Sequence, residues 1–126
     1  MPKPRTATAA DADAPPRLSV RLDLGAGLRI GPGKVTLLEE IGRSGSISAA
    51  GRALRMSYRR AWELVEDLNR GMGTPVVETA AGGAGGGGAR LTAAGEAVVQ
   101  RYRAIEADTN AAAGAHLEAL ARIRQG

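Results

Sequence analysis

The chain has 126 residues, no cysteine or phenylalanine, one tryptophan, two tyrosines and a formal net charge of +4. That length holds one domain of ordinary size, whose core must be built from Leu, Val, Ile and Ala, a composition that suits helices better than a large sheet. The missing cysteines exclude a disulfide framework, a thiolate metal site and a thiol nucleophile. No stretch has the length of a membrane span or the pattern of a secretory signal, so the expected location is the cytoplasm, with no membrane partner.

Residues 1–17, MPKPRTATAADADAPPR, are rich in Pro and Ala without an apolar period and read as a disordered tail. LSVRLDL (18–24) alternates Leu18, Val20, Leu22 and Leu24 with Ser19, Arg21 and Asp23, the pattern of a half-buried strand. GAGLRIGPG (25–33) is turn material with a short apolar insert at Leu28 and Ile30. KVTLLEEIGRSG (34–45) places Val35, Leu38 and Ile41, with Leu37 beside them, on one helical stripe that stops near Gly42–Gly45. Ser46 is an N-cap candidate for a second short helix, ISAAGRAL (47–54). This helix would bury Ile47, Ala50 and Leu54, and its small residues let another helix approach closely. After RMS, with Ser57 as a second cap, YRRAWELVEDLN (58–69) forms a third helix burying Ala61, Leu64, Val65 and Leu68 and ended by Gly71 and Gly73.

PVVE (75–78) and ARL (89–91) are strand-like and flank a tract in which six of the seven residues from Gly82 to Gly88 are glycine. Gly83, Gly85 and Gly88 satisfy the G-x-G-x-x-G spacing of a dinucleotide site. That mechanism requires a helix to start at the loop and a later strand to complete the unit. Here ARL intervenes, and no such strand follows. No Lys-Ser/Thr follows for a phosphate-binding P-loop either. An interdomain linker would leave PVVE unpaired, whereas a hairpin satisfies the backbone groups of both strands. Thr92 then caps a long helix, on which Val98, Tyr102, Ile105, Thr109, Ala112, His116, Ala119 and Ile123 step alternately by four and three, a heptad-like seam.

Three short helices and a hairpin make a winged helix-turn-helix, mainly α with a small β-hairpin wing. The expected domain occupies 18–91, with the helix-turn-helix at about 46–69 and the wing at about 75–91, followed by a long C-terminal dimerisation helix over 92–124. In that fold the third helix enters the major groove while the wing meets the flanking backbone. Charge agrees with such a partner without demanding it. Residues 46–70 carry five basic against three acidic side chains, and residues 71–126 are balanced.

The stretches SGSISAAGRALRMSYRRAWELVEDLN (44–69) and PVVETAAGGAGGGGARLTAAGEAVVQRY (75–102) resemble the N-terminal domain of the ModE family of molybdate-responsive transcriptional regulators. S-I-S-x-A, M-S-Y-R-x-A-W and the glycine-rich wing ending in LT are the most specific parts, and the similarity runs from about residue 18 to about residue 120. The helix-turn-helix part also resembles the wider LysR-type regulators. The resemblance implies a sequence-specific DNA-binding regulator linked to molybdate or tungstate homeostasis, with the oxyanion as effector. Full-length members carry C-terminal mop-like molybdate-binding domains, whereas this sequence ends at Gly126, straight after the long helix, and lacks the S-A-R-N type motifs of the oxyanion site.

On this reading Ser57, Tyr58, Arg59 and Arg60 open the recognition helix and face double-stranded DNA, since Arg is suited to bidentate contact with guanine. The competing role for the two arginines is intrahelical pairing with Glu63 or Glu66. Ser46 caps the second helix, and Ser48 and Arg52 are candidates for phosphate contact. Trp62 is expected to pack between helices. Arg90, with Thr79 across the glycines, is the wing's candidate for phosphate or the minor groove. GRSGS (42–46) offers Arg43, Ser44 and Ser46 as a candidate oxyanion site, against the plainer reading of a helix–helix turn. The long helix is expected to form a homodimer through Val98, Tyr102, Ile105, Ala112, His116 and Ile123, matching palindromic half-sites. A lone His among scattered surface carboxylates gives neither a metal site nor a catalytic constellation, so no enzymatic activity is expected. The alternative is a winged-helix protein-interaction module, or a DNA-binding protein whose signal comes from a separate partner.

Overall fold

The computed structural model describes residues 14–80 and 88–125. The order is β1 (Leu22–Asp23), β2 (Arg29–Ile30), α1 (Pro32–Ser44), α2 (Ile47–Ala53), α3 (Tyr58–Met72), β3 (Val77–Thr79), β4 (Ala89–Leu91) and α4 (Ala93–Gln125). The first thirteen residues of the expected tail and the glycine tract at 81–87 lie outside the described residues.

Each short helix buries the face that its periodicity marks, except that Leu54, expected to be buried with α2, caps its end and is half-buried. Val35, Leu37, Leu38 and Ile41 from α1, Ile47 and Ala50 from α2, and Ala61, Leu64, Val65 and Leu68 from α3 form the core, closed by Val76, Val77 and Tyr102. Burying one such aliphatic side chain contributes about 1.5–3 kcal/mol, so a core with no Phe is built from many moderate terms. α1 ends where Gly45 takes a left-handed φ of 74° and its N–H donates to Ile41 O at 2.8 Å. Ser46 and Ser57 cap α2 and α3 by accepting from Ala49 N and Arg60 N, both at 3.0 Å. Thr92 caps α4 by accepting from Gly95 N at 3.0 Å, while its hydroxyl donates to Pro75 O at 2.7 Å. The expected hairpin is present, antiparallel, with register Val77↔Leu91, Glu78↔Arg90 and Thr79↔Ala89.

The strand expected over 18–24 is shorter. Only Leu22–Asp23 pairs, and its partner is Arg29–Ile30, inside the stretch read as turn material. Upstream, backbone partners come from α4 side chains instead of a ladder. Tyr102 donates its hydroxyl to Val20 O at 2.6 Å, and Leu18 N–H donates to Asn110 Oδ1 at 2.7 Å. The alternation survives as geometry: Leu18, Val20 and Leu22 are half-buried, while Ser19, Arg21 and Asp23 are exposed. Leu24 breaks it, at 54% exposure.

α4 is seated by a close backbone approach at Gly95, where a Cβ would stand 2.1 Å from Val76 O. Further along, Arg103 bridges to Glu39 of α1 at 2.6 Å and to Glu106 at 2.9 Å. These hydrogen bonds, Glu39 first, raise the guanidinium's pKa further above its ordinary value. Among the described residues no helix is long and apolar enough to cross a membrane.

Candidate nucleic-acid interface

α2 and α3 are joined by a tight turn in which Met56 N–H donates to Gly51 O at 2.9 Å and Arg55 takes a left-handed φ of 57°. Buried Gly51 packs toward Ala61, so the two helices meet closely, as the small residues of α2 anticipate. Because Ala61, Leu64, Val65 and Leu68 hold one face of α3 inward, the opposite face and the first turn point to solvent. Tyr58 is 56% exposed, and the side chains of Arg59 and Arg60 are 89% and 58% exposed. Tyr58 meets Trp62 edge-on, with ring centroids 6.1 Å apart, and the half-buried Trp62 packs against the core.

Both recognition-helix arginines turn back to Glu63, Arg59 at 3.3 Å and Arg60 at 3.7 Å. Exposed i,i+3 and i,i+4 pairs contribute only about 0.3–0.5 kcal/mol, well below a bidentate guanine contact at about 1–3 kcal/mol. Pairs this weak hold the two guanidinium groups in place without preventing their exchange to a stronger acceptor. On α2, Arg52 donates to Ser48 Oγ at 2.9 Å, and both sit near the exposed edge of the motif.

Four hydrogen bonds fix the base of the wing. Ala89 N–H donates to Gly45 O at 2.9 Å, and Thr92 N–H donates to Val76 O at 3.0 Å. Asn69, in the last turns of α3, accepts from Val76 N at 2.7 Å and Val77 N at 3.3 Å. Asn69 thus couples recognition helix to wing, a role its place in a helical period does not reveal. Arg90 pairs across the strands with Glu78 at 3.1 Å, with Thr79 exposed one position on. Gly45, Glu78, Thr79, Gly88 and Arg90 border an open hollow of about 450 Å³ between wing and α1–α2 turn.

Arg43, Ser44 and Ser46 come together at that turn, but their polar groups are engaged locally. Arg43 pairs with Glu40, a hydrogen bond that raises its pKa. Ser44 Oγ donates to Ser46 O at 3.1 Å, and Ser46 Oγ is the α2 cap. The arrangement is that of a helix–helix turn.

Of the expected dimer residues, Ile105, Ala112, His116 and Ile123 are exposed on α4. Val98 is half-buried against the core, and Tyr102 is only 1% exposed, turned into its own chain beneath the extended residues 18–24.

A sequence profile of the "Bacterial regulatory helix-turn-helix protein, lysR family" matches residues 33–96. The chain is 52% identical over 81 residues to the molybdenum-pterin-binding protein MopB of Rhodobacter capsulatus, covering 64% of this chain and 30% of that protein. It is 35% identical over 105 residues to the molybdenum transport protein ModE of Azotobacter vinelandii, covering 83% and 39%. It is 41% identical over 71 residues to the DNA-binding transcriptional dual regulator ModE of Escherichia coli K12, covering 56% and 27%. The chain thus spans well under half the length of these relatives. In fold it is similar to the CbnR DNA-binding domain crystallised with DNA, at a TM-score of 0.53 and 22% identity, over 71% of this chain and 95% of that one.

Proposed function

Because the chain belongs to the bacterial regulatory helix-turn-helix proteins of the lysR family, we propose that it is a sequence-specific DNA-binding transcriptional regulator, acting in the cytoplasm in molybdenum-linked control. The observation that carries this reading is the first turn of α3: capped by Ser57, it is held against α2 and projects Tyr58, Arg59 and Arg60 into solvent, while Asn69 toward the other end of the helix anchors the wing. N-terminal residues of a recognition helix are the ones that reach base edges. The link to molybdenum rests on the relatives named for molybdenum transport and molybdenum-pterin binding.

The regulator acts as a homodimer through the exposed face of α4, with Ile105, Ala112, His116 and Ile123 joined by Leu120. A two-fold dimer presents two reading heads to a palindromic site. Ser48, Arg52 and Arg90 supply backbone contacts that position the heads without reading sequence.

Mobility shift on duplex DNA from upstream of its own coding region tests the reading. Arg59→Ala and Arg60→Ala are each expected to weaken specific binding about tenfold or more. Unchanged affinity in both variants rejects the assigned reading face, and affinity indifferent to salt rejects DNA as the partner in favour of a protein-interaction module. Binding altered by molybdate or tungstate and not by sulfate supports an effector role within this chain. Indifference to all three assigns the sensor to another molecule or segment.

A further inference from the structure

On the side of α3 away from Asn69 and the wing lies an open cleft of about 710 Å³. Four cations line it: Arg21 from beside β1, Arg29 from β2, Lys34 from the first turn of α1 and Arg60 from the first turn of α3. Met56 and Leu64 lie at its inner wall. No carboxylate lines it among the described residues.

The hairpin and α1 bring these charges together. Arg21, one residue before β1, and Arg29 on β2 are both exposed, and Arg21's side chain lies over the start of α1, 3.9 Å from where a Cβ on Gly31 would stand. Lys34 Nζ donates to Arg29 O at 2.7 Å, which fixes the ammonium at the cleft and, among the described residues, leaves its other two N–H groups available. The carboxylate nearest in register, Asp23 opposite Arg29, accepts instead from Gly25 N at 3.1 Å. Among the described residues, Arg21, Arg29 and Lys34 have no carboxylate within 4.0 Å, unlike Arg59, Arg70 and Arg90. The fourth cation, Arg60, is shared with Glu63 at 3.7 Å, so among the described residues four like charges meet one counter-charge, an excess that raises the local potential and favours a polyanion.

Arg60 belongs to both surfaces, the cleft and the reading face of α3, so a duplex held on α3 runs directly past the cleft. We propose that the cleft is a second backbone clamp, holding phosphates of the DNA on the flank opposite the wing. The inference rests on the DNA-reading assignment above and extends it to the N-terminal hairpin. Its contacts carry charge and position and no base information, so they strengthen specific and non-specific binding alike.

The test compares the full chain with Arg21→Ala/Arg29→Ala and with Arg122→Ala/Arg124→Ala, which removes the same charge from the far end of α4. Losing two phosphate contacts lowers the slope of log affinity against log salt by about 2 and weakens binding about tenfold or more on specific and random duplexes equally. Arg21→Lys/Arg29→Lys keeps most of the slope and reports on folding. In wild-type protein, ethylation of phosphates on the flank opposite the wing interferes with binding, a readout that needs no variant. A wild-type slope in the Ala/Ala variant, an equal loss in the α4 control, or no interference on that flank overturns the clamp while leaving the α3 assignment intact. A wild-type protein that shows no salt-dependent DNA binding overturns the assignment itself.

Discussion

Between Ala93 and Glu106, α4 is held by its own chain. Gly95 lies against the Val76 carbonyl, Tyr102 is sealed under residues 18–24, and Arg103 is tied to Glu39 on α1. From Ala107 to Gln125 it is held far less. Beyond Asn110, Leu117, Leu120, Ala121, Arg124 and Gln125 border a shallow hollow together with Ala14 and Pro16, and Leu120 and Ile123 are 61% and 73% exposed. A free helical segment of this length is marginal in water, and in the proposed homodimer its bare apolar side chains would face the second copy. The contrast suits a rigid lever. At 1.5 Å per residue the less-held half extends roughly 30 Å beyond the packed half, comparable to the ~34–36 Å between half-sites one helical turn apart. A base fixed to the core and a tip committed to a second copy would set the spacing of two reading heads.

The largest effect that separates the two halves comes from one substitution made in each. In Gly95→Ala the new Cβ falls 2.1 Å from Val76 O and 3.0 Å from Val76 C. These are backbone atoms and cannot rotate aside, so α4 must lift from the Val76 carbonyl just before β3. The expected loss is about 3 kcal/mol, at the upper end of overpacking costs, measured by denaturant unfolding. Gly114→Ala, with nothing within 4 Å of its Cβ position, should gain up to about 1 kcal/mol of local helix stability, seen as slower amide exchange in the distal turns. Two losses of similar size would show that the distal half is packed as tightly as the base.

The boundary between the halves is where sequence reasoning succeeded and then stopped. The faces of α1, α2 and α3 were legible because each buries a local stripe, and the caps Ser46, Ser57 and Thr92 stand one residue before their helices. Tyr102 departs from its expected place on the seam, being 1% exposed and turned into its own chain. A residue stepping by four and three fits an intermolecular seam and an intramolecular face equally well, and the partner that decides, Val20, lies 82 residues away in sequence. The β1–β2 hairpin escaped because two-residue strands carry no readable period, and its turn uses Ala26 at a φ of 52°, a conformation that alanine does not advertise. The cations of the basic cleft are likewise dispersed along the chain and become neighbours only through that hairpin.

A smaller effect probes the seal at the base. Tyr102→Phe removes the hydroxyl donating to Val20 O and should cost about 1 kcal/mol. Burial first, and then the nearby Glu106, raise the Tyr102 pKa above its ordinary value near 10. A phenol whose folded pKa is raised binds its proton more tightly in the native state. Its contribution is therefore complete below about pH 10 and is lost as pH climbs through the higher folded value. Wild-type stability should fall more steeply than that of Tyr102→Phe on the alkaline side. Superimposable alkaline limbs would mean that residues 18–24 do not seal the base in solution.

The smallest effect on the folded body, and the sharpest on assembly, is expected at the tip. Leu120→Glu/Ile123→Glu alters side chains that their own chain leaves largely in water, so the intrinsic stability of the domain should change by no more than about 0.5 kcal/mol. Dimerisation nevertheless adds apparent stability by mass action, and a single midpoint would confuse the two terms. Thermal midpoints across a range of protein concentrations keep them apart. The wild-type midpoint should rise with concentration and that of the double variant should not, the two converging on dilution, while sedimentation gives twice the chain mass for wild type and one chain for the variant. A variant that still sediments as a dimer would move the interface to the packed half, onto the apolar groove among Leu24, Val98 and Ile105. The lever reading would then fail, because the reading heads would be joined at the base of α4, leaving the distal turns no part in setting their separation.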